Sequence, residues 1–246
     1  MVKWAWRKRV PLLDSVSPTD PDLLERLQSL APDVICVSGF PWLLRPEFLA
    51  TARRVALNVH TSLLPHHRGP NPLLWVYYHN DDRTGVTVHQ MNQRADAGLI
   101  LAQQAFDLPR GFPIERLYSQ TARIGADLLV QVLNDLETGT LKPQVQDESL
   151  STYAPRVPQG VAMVNFGVWD VERVWHFMAG LCSRRREPLR DARQKEIHYR
   201  SVIGYTPGDC QQEPGTVAPT TFGWHLYCRN GSIQLGRKAS KREENQ

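Results

Sequence analysis

Apolar residues in the first 140 positions follow two alternating patterns. Short runs rich in branched side chains lie at residues 34–37, 55–60 and 84–89, and each predicts a strand that is buried on both faces. Apolar residues at helical spacing precede the first run and follow the last one. This alternation of strand and helix patterns predicts an α/β fold with an open, mostly parallel sheet.

The predicted helices have recognisable ends. Asp20-Pro21-Asp22 supplies an N-cap, a proline and an acidic residue in the first turn, and Pro32 ends that helix. The longest helix is predicted over residues 114–136, with Gly139 just beyond it. Its apolar face comprises Leu117, Ile124, Leu128, Val132 and Leu136.

The pattern changes after Lys142-Pro143. Residues 143–160 are irregular and contain prolines, which indicates a linker. A short helix is predicted from Asp170 to Gly180, and short strands with turns follow from Pro214 to Lys238, where Asn230-Gly231 is a strong hairpin signal. The expected organisation is a domain at 1–142, a linker at 143–160 and a small β-rich domain at 161–246.

Composition and charge exclude few classes of protein. With 41% hydrophobic and 22% charged residues, the chain has the composition of an ordinary globular protein. The net charge of +4 is mildly basic and would assist an encounter with a phosphate-bearing partner. The basic residues cluster in one region of the second half, which is either a solvated loop or a patch for RNA or a nucleotide. The cluster comprises Arg184, Arg185, Arg186, Arg190, Arg193 and Lys195.

The cysteines and the apolar segments bear on the compartment. Cys36, Cys182, Cys210 and Cys228 are widely spaced without a CxxC pair, which argues against a disulfide framework or a zinc finger. The basic, aromatic start lacks the continuous apolar stretch of a secretory signal. No segment has the length of apolar sequence that crosses a bilayer. We therefore expect a cytoplasmic protein with no membrane partner.

Asn58, His60 and Asp96 form a candidate site for acyl chemistry. Asn58 and His60 are two residues apart on a predicted strand, so their side chains leave the same face near its carboxyl end, where open α/β sheets place their ligands. Asp96 lies in a loop after the next strand. In such a site the Asn amide can donate to an oxyanion, the His can exchange protons, and the Asp can orient the His or relay a proton. Taken singly, each residue is more commonly a turn, cap or structural residue.

A metal site is a competing interpretation. His60, His66, His67, His89 and Asp96 lie within one stretch of the sequence, and two histidines with a carboxylate can bind zinc or iron. However, the adjacent histidines should diverge, and no HExxH or similar ligand spacing is present. We therefore predict no metal.

The sequence around this trio resembles the folate-dependent formyltransferases. The resemblance rests on SLLP at Ser62–Pro65, Arg68-Gly69, TGVT at Thr84–Thr87, and the D-x-G-x-I-L run from Asp96 to Leu101. It implies a Rossmann-like domain that transfers a formyl group from 10-formyltetrahydrofolate to an amine. It implies catalytic roles for Asn58, His60 and Asp96.

The resemblance also implies binding residues. The stretch from Gly39 to Leu44 is similar to the segment that lines the family's pterin pocket, and the loop from His89 to Asp96 should form its other side. The implied folate-binding residues are Phe40, Trp42, Leu43, Leu44, His89, Met91 and Asp96. The implied binding residues for the acceptor substrate are Ser62, Leu63, Leu64, Pro65, Arg68 and Gly69.

The second half is similar to methionyl-tRNA formyltransferases in TYAPR at Thr152–Arg156, the VERVWHFMAGL helix and the PGTV strand. In that group a small β-barrel of the OB type helps to hold tRNA, so initiator tRNA is the first candidate acceptor. The expected barrel is short, which argues against a tRNA acceptor. Asn71–Trp75 is more similar to family members that formylate small amines, such as amino sugar nucleotides or amino acid derivatives.

The front of this sequence differs from the family pattern. Family members begin with a strand, a glycine-containing turn, a helix and another strand before the segment that starts here near Val10. The strand at 34–37 should therefore present an unpaired edge. Three explanations remain open: a truncated gene product, a partner or homo-oligomer that covers the edge, or an inactive remnant that binds folate or RNA.

Overall fold

The structure is a computed structural model and describes residues 2–40 and 42–237. Its helices are α1 (Val2–Lys8), α2 (Pro21–Leu30), α3 (Pro46–Leu49), α4 (Pro72–His79), α5 (Ile114–Thr138) and α6 (Val171–Leu181), with a 3₁₀ turn at Glu148–Leu150. Its strands are β1 (Val34–Ser38), β2 (Val55–His60), β3 (Arg83–Gln90), β4 (Ile100–Asp107), β5 (Leu189–Arg190), β6 (Glu196–Ile197), β7 (Tyr199–Pro207), β8 (Val217–Thr220), β9 (Gly223–Cys228) and β10 (Gly231–Arg237).

The described residues divide into two compact units, neither of which is continuous in sequence. The first contains the residues up to Gly69, Val86–Gln104 and Gly125–Thr152. The second contains Pro70–Gly85, Ala105–Ile124 and the residues from Tyr153 onward.

The α/β sheet has the order β1-β2-β3-β4. The β1 and β2 strands are parallel, but β2 and β3 are antiparallel. The sheet is therefore mixed, and the prediction of a mostly parallel sheet is wrong. An apolar run marks a buried strand but carries no direction, so the sequence pattern could not reveal this reversal. The β4 strand was not predicted, because polar residues interrupt its apolar pattern and leave it largely solvent-facing.

The β1 strand lies at one edge of this sheet among the described strands, where the sequence predicts an unpaired strand. It is not buried on both faces as expected, since Cys36 and Ser38 are exposed and its other residues are only partly buried. The amphipathic helix α2 before it also contains no buried residue. Its predicted start is confirmed, because the Asp20 carboxylate caps the helix by accepting a hydrogen bond from the Asp22 amide.

The central strands form the core of the first unit. Leu57 and Val88 are fully buried, and the carboxyl-terminal part of α5 packs against β2. Gly125 allows this close packing, because a Cβ atom at this position would lie 2.5 Å from the Val59 side chain. The predicted helix 114–136 is confirmed with two further residues at its carboxyl end.

The second unit has its own apolar core, built around α4, α6 and an antiparallel sheet. Gly180 of α6 lies directly against the ring of Tyr77 on α4. The sheet has the order β7-β10-β9-β8, and β9 and β10 form the predicted hairpin beside Asn230-Gly231. The described strands of this sheet do not close into a barrel. In this described part of the chain, no helix is long and apolar enough to cross a membrane.

Candidate active site

Strand pairing in the first unit places three polar side chains at one end of the sheet. Asn58 is the direct cross-strand partner of His89, and His60 follows two residues later on the same strand face. The parallel register sets Val37 and Ser38, the end of β1, beside Asn58 and Val59. The site therefore forms at the edge of the sheet where the carboxyl ends of β1 and β2 lie side by side, as the sequence predicts.

Asp96 lies in the loop that joins β3 to β4 and reaches both catalytic candidates. Its Oδ1 accepts a hydrogen bond from Asn58 Nδ2 at 3.3 Å, and its Oδ2 lies 3.7 Å from His60 Nδ1. The backbone N–H of Gly69 donates to Oδ2 at 2.8 Å. Sequence spacing suggested that the three residues could meet, and in the structure they do.

His60 is buried, and its two ring nitrogens have different surroundings. The Nε2 atom lies 2.9 Å from the backbone carbonyl oxygen of His67, which can only accept a hydrogen bond. In neutral His60 the proton is therefore on Nε2, and Nδ1 is free to take up a proton beside Asp96. Burial lowers the pKa of His60, while the charge of Asp96 opposes this effect.

The carboxyl group of Asp96 remains ionised at neutral pH. Burial alone would raise its pKa, but the polar contacts of the carboxylate with His89, His60 and Gly69 outweigh burial and lower it to about 2. A charged carboxylate is therefore present to stabilise a protonated His60.

Gly98 closes the loop that carries Asp96. A Cβ atom at this position would lie 1.7 Å from the backbone oxygen of Gln90, so the two chain segments approach too closely for any side chain. The Gln90 amide also donates to the Leu99 carbonyl at 2.9 Å, which joins the two ends of the loop. The loop conformation, and with it the position of Asp96, depends on this glycine.

We expect Gly98→Ala to lower the free energy of unfolding by roughly 3 kcal/mol, because backbone atoms must move to admit the methyl group. The measurement is urea unfolding followed by fluorescence. Gly167→Ala is the matched control, since the nearest heavy atom to its Cβ position is a side-chain oxygen 3.7 Å away. Equal stability of the two variants would contradict the proposed constraint.

Arg68 is held in a network that the sequence did not reveal. Its guanidinium donates to Gln146 Oε1 at 2.7 Å from Nη2, and to both carboxylate oxygens of Glu148. The Gln146 amide in turn donates to the backbone oxygens of Asp96 and Gly98. Hydrogen bonds from Arg68 and Arg94 lower the pKa of Glu148 to about 2. The network therefore holds the Asp96 loop through its backbone oxygens.

These contacts bear on the predicted binding role of Arg68. Its side chain is buried, and its three nitrogens are all engaged by Gln146 and Glu148. In this structure the side chain supports the loop, and acceptor binding by Arg68 stays a prediction. Gln146 carried no signal in the sequence, because it lies in an irregular segment without apolar periodicity.

The rest of the predicted acceptor segment forms the turn after β2. Ser62 Oγ donates to the His66 carbonyl at 2.6 Å, and the Leu64 amide donates to Thr87 Oγ1. The Leu64–Pro65 peptide bond is cis. Leu63 is partly buried, and Gly69 adopts a φ of 108°, which favours glycine and directs its amide toward Asp96. Of this set, the structure brings Gly69 into direct contact with the catalytic trio.

The predicted folate-binding residues other than His89 and Asp96 lie in two places, the loop after β1 and the end of β3. Phe40, Trp42 and Leu43 follow the end of β1 with exposed side chains, and the Phe40 and Trp42 rings pack edge to face at 5.4 Å. Leu44 is buried, Met91 lies just after β3, and Pro41 lies outside the described residues. Exposed aromatic side chains beside a polar site are a surface that an aromatic ligand could cover.

The residues of the predicted site do not assemble as metal ligands. Within the described residues there is no group of three or more His, Cys, Asp or Glu side chains placed to hold an ion. The nitrogens of His60 and His89 instead face backbone carbonyls and the Asn58–Asp96 pair.

Comparison with known proteins agrees with this geometry. A sequence model for the family described as "Formyl transferase" matches residues 5–133, which is more than half of the chain. The chain belongs to the formyl transferase family. Its membership explains why the motif residues from Asn58 to Asp96 converge on one site.

Curated relatives within the formyl transferase family include two methionyl-tRNA formyltransferases. The protein from Trichlorobacter lovleyi is 29% identical over 239 residues, which cover 93% of this chain and 71% of that protein. The protein from Anaeromyxobacter dehalogenans is 37% identical over 151 residues, covering 61% of this chain and 48% of that protein. The chain thus spans about half the length of several of its curated relatives.

Solved structures show the same formyl transferase fold. WlaRD, a sugar 3N-formyl transferase crystallised with dTDP and 5-N-formyl-THF, superposes with a TM-score of 0.75 at 14% identity, covering 98% of this chain and 82% of WlaRD. HypX from Aquifex aeolicus, in complex with tetrahydrofolic acid, gives a TM-score of 0.67 at 20% identity, covering 94% of this chain and 41% of HypX. At these identities the likeness establishes the fold.

Proposed function

We propose that this chain transfers a formyl group from 10-formyltetrahydrofolate to a primary amine. The observation that carries the proposal is the contact of Asn58, His60 and Asp96 at one end of the sheet, through one hydrogen bond from Asn58 to Asp96 and one ionic distance of 3.7 Å between His60 and Asp96. Family membership and the names of the relatives support the same reaction. In this proposal 10-formyltetrahydrofolate is a substrate, consumed in each turnover.

The proposed chemistry begins with attack of the amine on the formyl carbon, which leaves negative charge on the formyl oxygen. Asn58 Nδ2 donates to that oxygen once its 3.3 Å hydrogen bond to Asp96 is released. His60 Nδ1, the nitrogen without a backbone partner, accepts the proton from the amine. Asp96 stabilises the resulting imidazolium, because its ionised carboxylate is 3.7 Å away. The bond between the formyl carbon and N10 of the folate then breaks as the formyl oxygen regains its double bond. His60 returns its proton to N10, and tetrahydrofolate leaves.

The proposed substrate sites follow the two surfaces described above. The proposed folate surface comprises Phe40, Trp42, Leu43, Leu44, His89, Met91 and Asp96. The turn at Ser62–Pro65, with Arg68 and Gly69, forms the proposed acceptor side. Four further expectations remain proposals. Two concern the fold: the domain division at 1–142, 143–160 and 161–246, and an OB-type character for the second sheet. The other two are a cytoplasmic location and an oligomer that covers the β1 edge.

Two acceptors remain as candidates, each with its own support. Initiator methionyl-tRNA is favoured by the curated relatives, which are named as methionyl-tRNA formyltransferases. A small amine such as an amino sugar nucleotide is favoured by WlaRD, which covers 98% of this chain. An inactive protein that only binds folate or RNA is the third alternative, and the intact catalytic trio argues against it.

A direct transfer assay tests the reaction. Purified chain is incubated with 10-formyltetrahydrofolate and either methionyl-tRNA or a dTDP-amino sugar, and the formylated product is measured by mass spectrometry. Product formation with either acceptor identifies the substrate class. A folded chain that binds the folate but forms no product with any amine would contradict the proposed reaction.

If the acceptor is tRNA, exposed basic residues of the second unit should contribute to its binding, because phosphate contacts are electrostatic. We expect the double variant Arg193→Glu, Lys195→Glu to raise the KM for methionyl-tRNA about tenfold at low salt. The matched control is Arg7→Glu, Arg26→Glu, which changes the net charge equally at exposed positions of the first unit. Arg185 is unsuitable for this test, since it is buried and donates to the Pro158 carbonyl at 2.9 Å.

An unchanged KM in the second-unit variant, or an equal change in both variants, would contradict a tRNA-binding role for this region. Either result would favour the small-amine acceptor.

A further inference from the structure

His89 is fully buried and contacts both Asn58 and Asp96, yet it has no assigned role in the proposed reaction beyond the folate surface. Its Nδ1 atom lies 2.9 Å from the backbone oxygen of Gln90. Its Nε2 atom lies 3.1 Å from Asn58 Nδ2 and 3.4 Å from Asp96 Oδ1. These three contacts, with the Asn58–Asp96 hydrogen bond, form a small closed network.

Neutral His89 can hydrogen-bond both the Gln90 carbonyl and the Asn58 amide in only one placement of the hydrogens. In that placement the 3.4 Å approach of Nε2 to Asp96 Oδ1 joins two acceptors and is not a hydrogen bond. The Gln90 carbonyl can only accept, so Nδ1 must carry the imidazole proton. The Nε2 atom then has a lone pair and accepts a hydrogen bond from Asn58 Nδ2. The second hydrogen of the same amide reaches Asp96 Oδ1, which is a carboxylate oxygen and also only accepts.

The alternative placements each create a repulsive contact. A proton on Nε2 would point at the Asn58 NH₂ group and would leave the Nδ1 lone pair against the Gln90 carbonyl. Rotating the Asn58 amide by half a turn would remove the first conflict, but it would place Oδ1 of Asn58 against the Asp96 carboxylate. The backbone of Gln90 therefore determines, through His89, which way the Asn58 amide faces.

We propose that His89 is a positioning residue that holds the Asn58 amide in the orientation needed to donate to the formyl oxygen. This inference rests on the proposed function. His89 itself contacts Asn58 and Asp96 rather than the reacting atoms. Without the lone pair of His89 Nε2, the Asn58 amide has one fixed contact, to Asp96, and it can rotate about that contact.

Two substitutions separate this role from general packing. In Gln the terminal carbonyl has about the reach of imidazole Nε2, so His89→Gln retains an acceptor for Asn58. In Asn the terminal amide has about the reach of Nδ1, so His89→Asn retains a donor for the Gln90 carbonyl but offers nothing to Asn58. Both variants remove the ring from the folate surface and from the core.

The expected kinetic result is a difference in kcat between the two variants. We expect kcat of His89→Asn to lie at least tenfold below that of His89→Gln, with similar KM values for 10-formyltetrahydrofolate. Thermal unfolding of both variants accompanies the assay. His198→Asn and His198→Gln are the matched controls, because His198 is exposed in the second unit. Equal kcat values in the two His89 variants would overturn the positioning role, as would a change confined to the folate KM.

A second measurement does not depend on catalysis. Long-range ¹H–¹⁵N NMR of the full chain labelled at histidine reports which ring nitrogen of His89 carries the proton, with His89→Gln used to assign the signal. We expect the proton of neutral His89 on Nδ1, and a neutral ring with its proton on Nε2 would overturn the inference. A chain with the expected Nδ1 proton but no transferase activity would overturn the proposed reaction and leave the hydrogen-bond assignment supported.

Discussion

Asn58→Ala is expected to lower kcat for formyl transfer by about 100- to 1000-fold, the usual cost of losing one oxyanion donor. The substitution removes the side-chain amide that lies within hydrogen-bonding distance of both Asp96 and His89. Binding of the folate should change little, because Asn58 is not part of the proposed folate surface. The measurements are the rate of formyl transfer and calorimetric binding of a stable folate analogue.

The control for this variant is Asn134→Ala, an exposed Asn on α5 in the same unit. Its transfer rate should equal that of the wild type. If Asn58→Ala retained full turnover, Asn58 would not be an oxyanion donor, and the reaction would need another donor at this site.

Asp96→Asn is expected to lower kcat by about 100-fold or more, because His60 loses the charge that stabilises its protonated form. The new amide also has an unfavourable contact: if its oxygen accepts from Gly69, its NH₂ group faces the NH₂ group of Asn58. Since the Asp96 charge raises the pKa of His60, its removal should lower that pKa further. In the pH profile of kcat/KM, the fall on the acidic side should therefore occur at lower pH in the variant. A fall at the wild-type pH would contradict a charged role for Asp96.

The same variant should alter the dependence of stability on pH. The pKa of Asp96 is lowered from 3.8 to about 2 in the folded protein, so its ionisation favours the folded state above about pH 4. This contribution, about 2 kcal/mol, is lost as the pH falls from about 4 towards 2. Urea unfolding at several acidic pH values should show a smaller pH dependence in Asp96→Asn than in the wild type. Glu47→Gln, an exposed position, should retain the wild-type dependence.

The site uses two histidines with opposite proton positions. His60 donates from Nε2 to the His67 carbonyl, and this leaves Nδ1 available beside Asp96. His89 donates from Nδ1 to the Gln90 carbonyl, and this leaves Nε2 available to Asn58. In each case a backbone carbonyl fixes the tautomer, so the fold itself sets the division between the proposed proton acceptor and the proposed positioning residue.

The support for the Asp96 loop explains why residues distant in sequence matter to the site. Gln146 holds the loop through the backbone oxygens of Asp96 and Gly98, while Arg68 holds Gln146. Gly98 allows the loop to close against Gln90. The carboxylate is thereby placed within reach of Asn58 and His60, although its own φ of 53° is uncommon for a residue other than glycine.

Much of the fold was predictable because local sequence encodes it. The caps of α2, the length of α5 and the hairpin at Asn230-Gly231 depend on residues adjacent in the chain. The strands β2 and β3 were predicted within one residue, since apolar runs mark buried strands. Strand direction and the exposure of β1 were not predictable, because both depend on which strands become neighbours.

The sequence by itself determined the family and the α/β pattern, and it predicted the trio of Asn58, His60 and Asp96, since the motifs around these residues carry that information. Only the tertiary structure decided that His89 lies opposite Asn58 and that Gln146 and Arg68 support the Asp96 loop. Those relations arise from strand register and from contacts between residues up to about 80 positions apart. Hydrogen-bond geometry of this kind has no local sequence pattern, because it exists only when the segments are brought together.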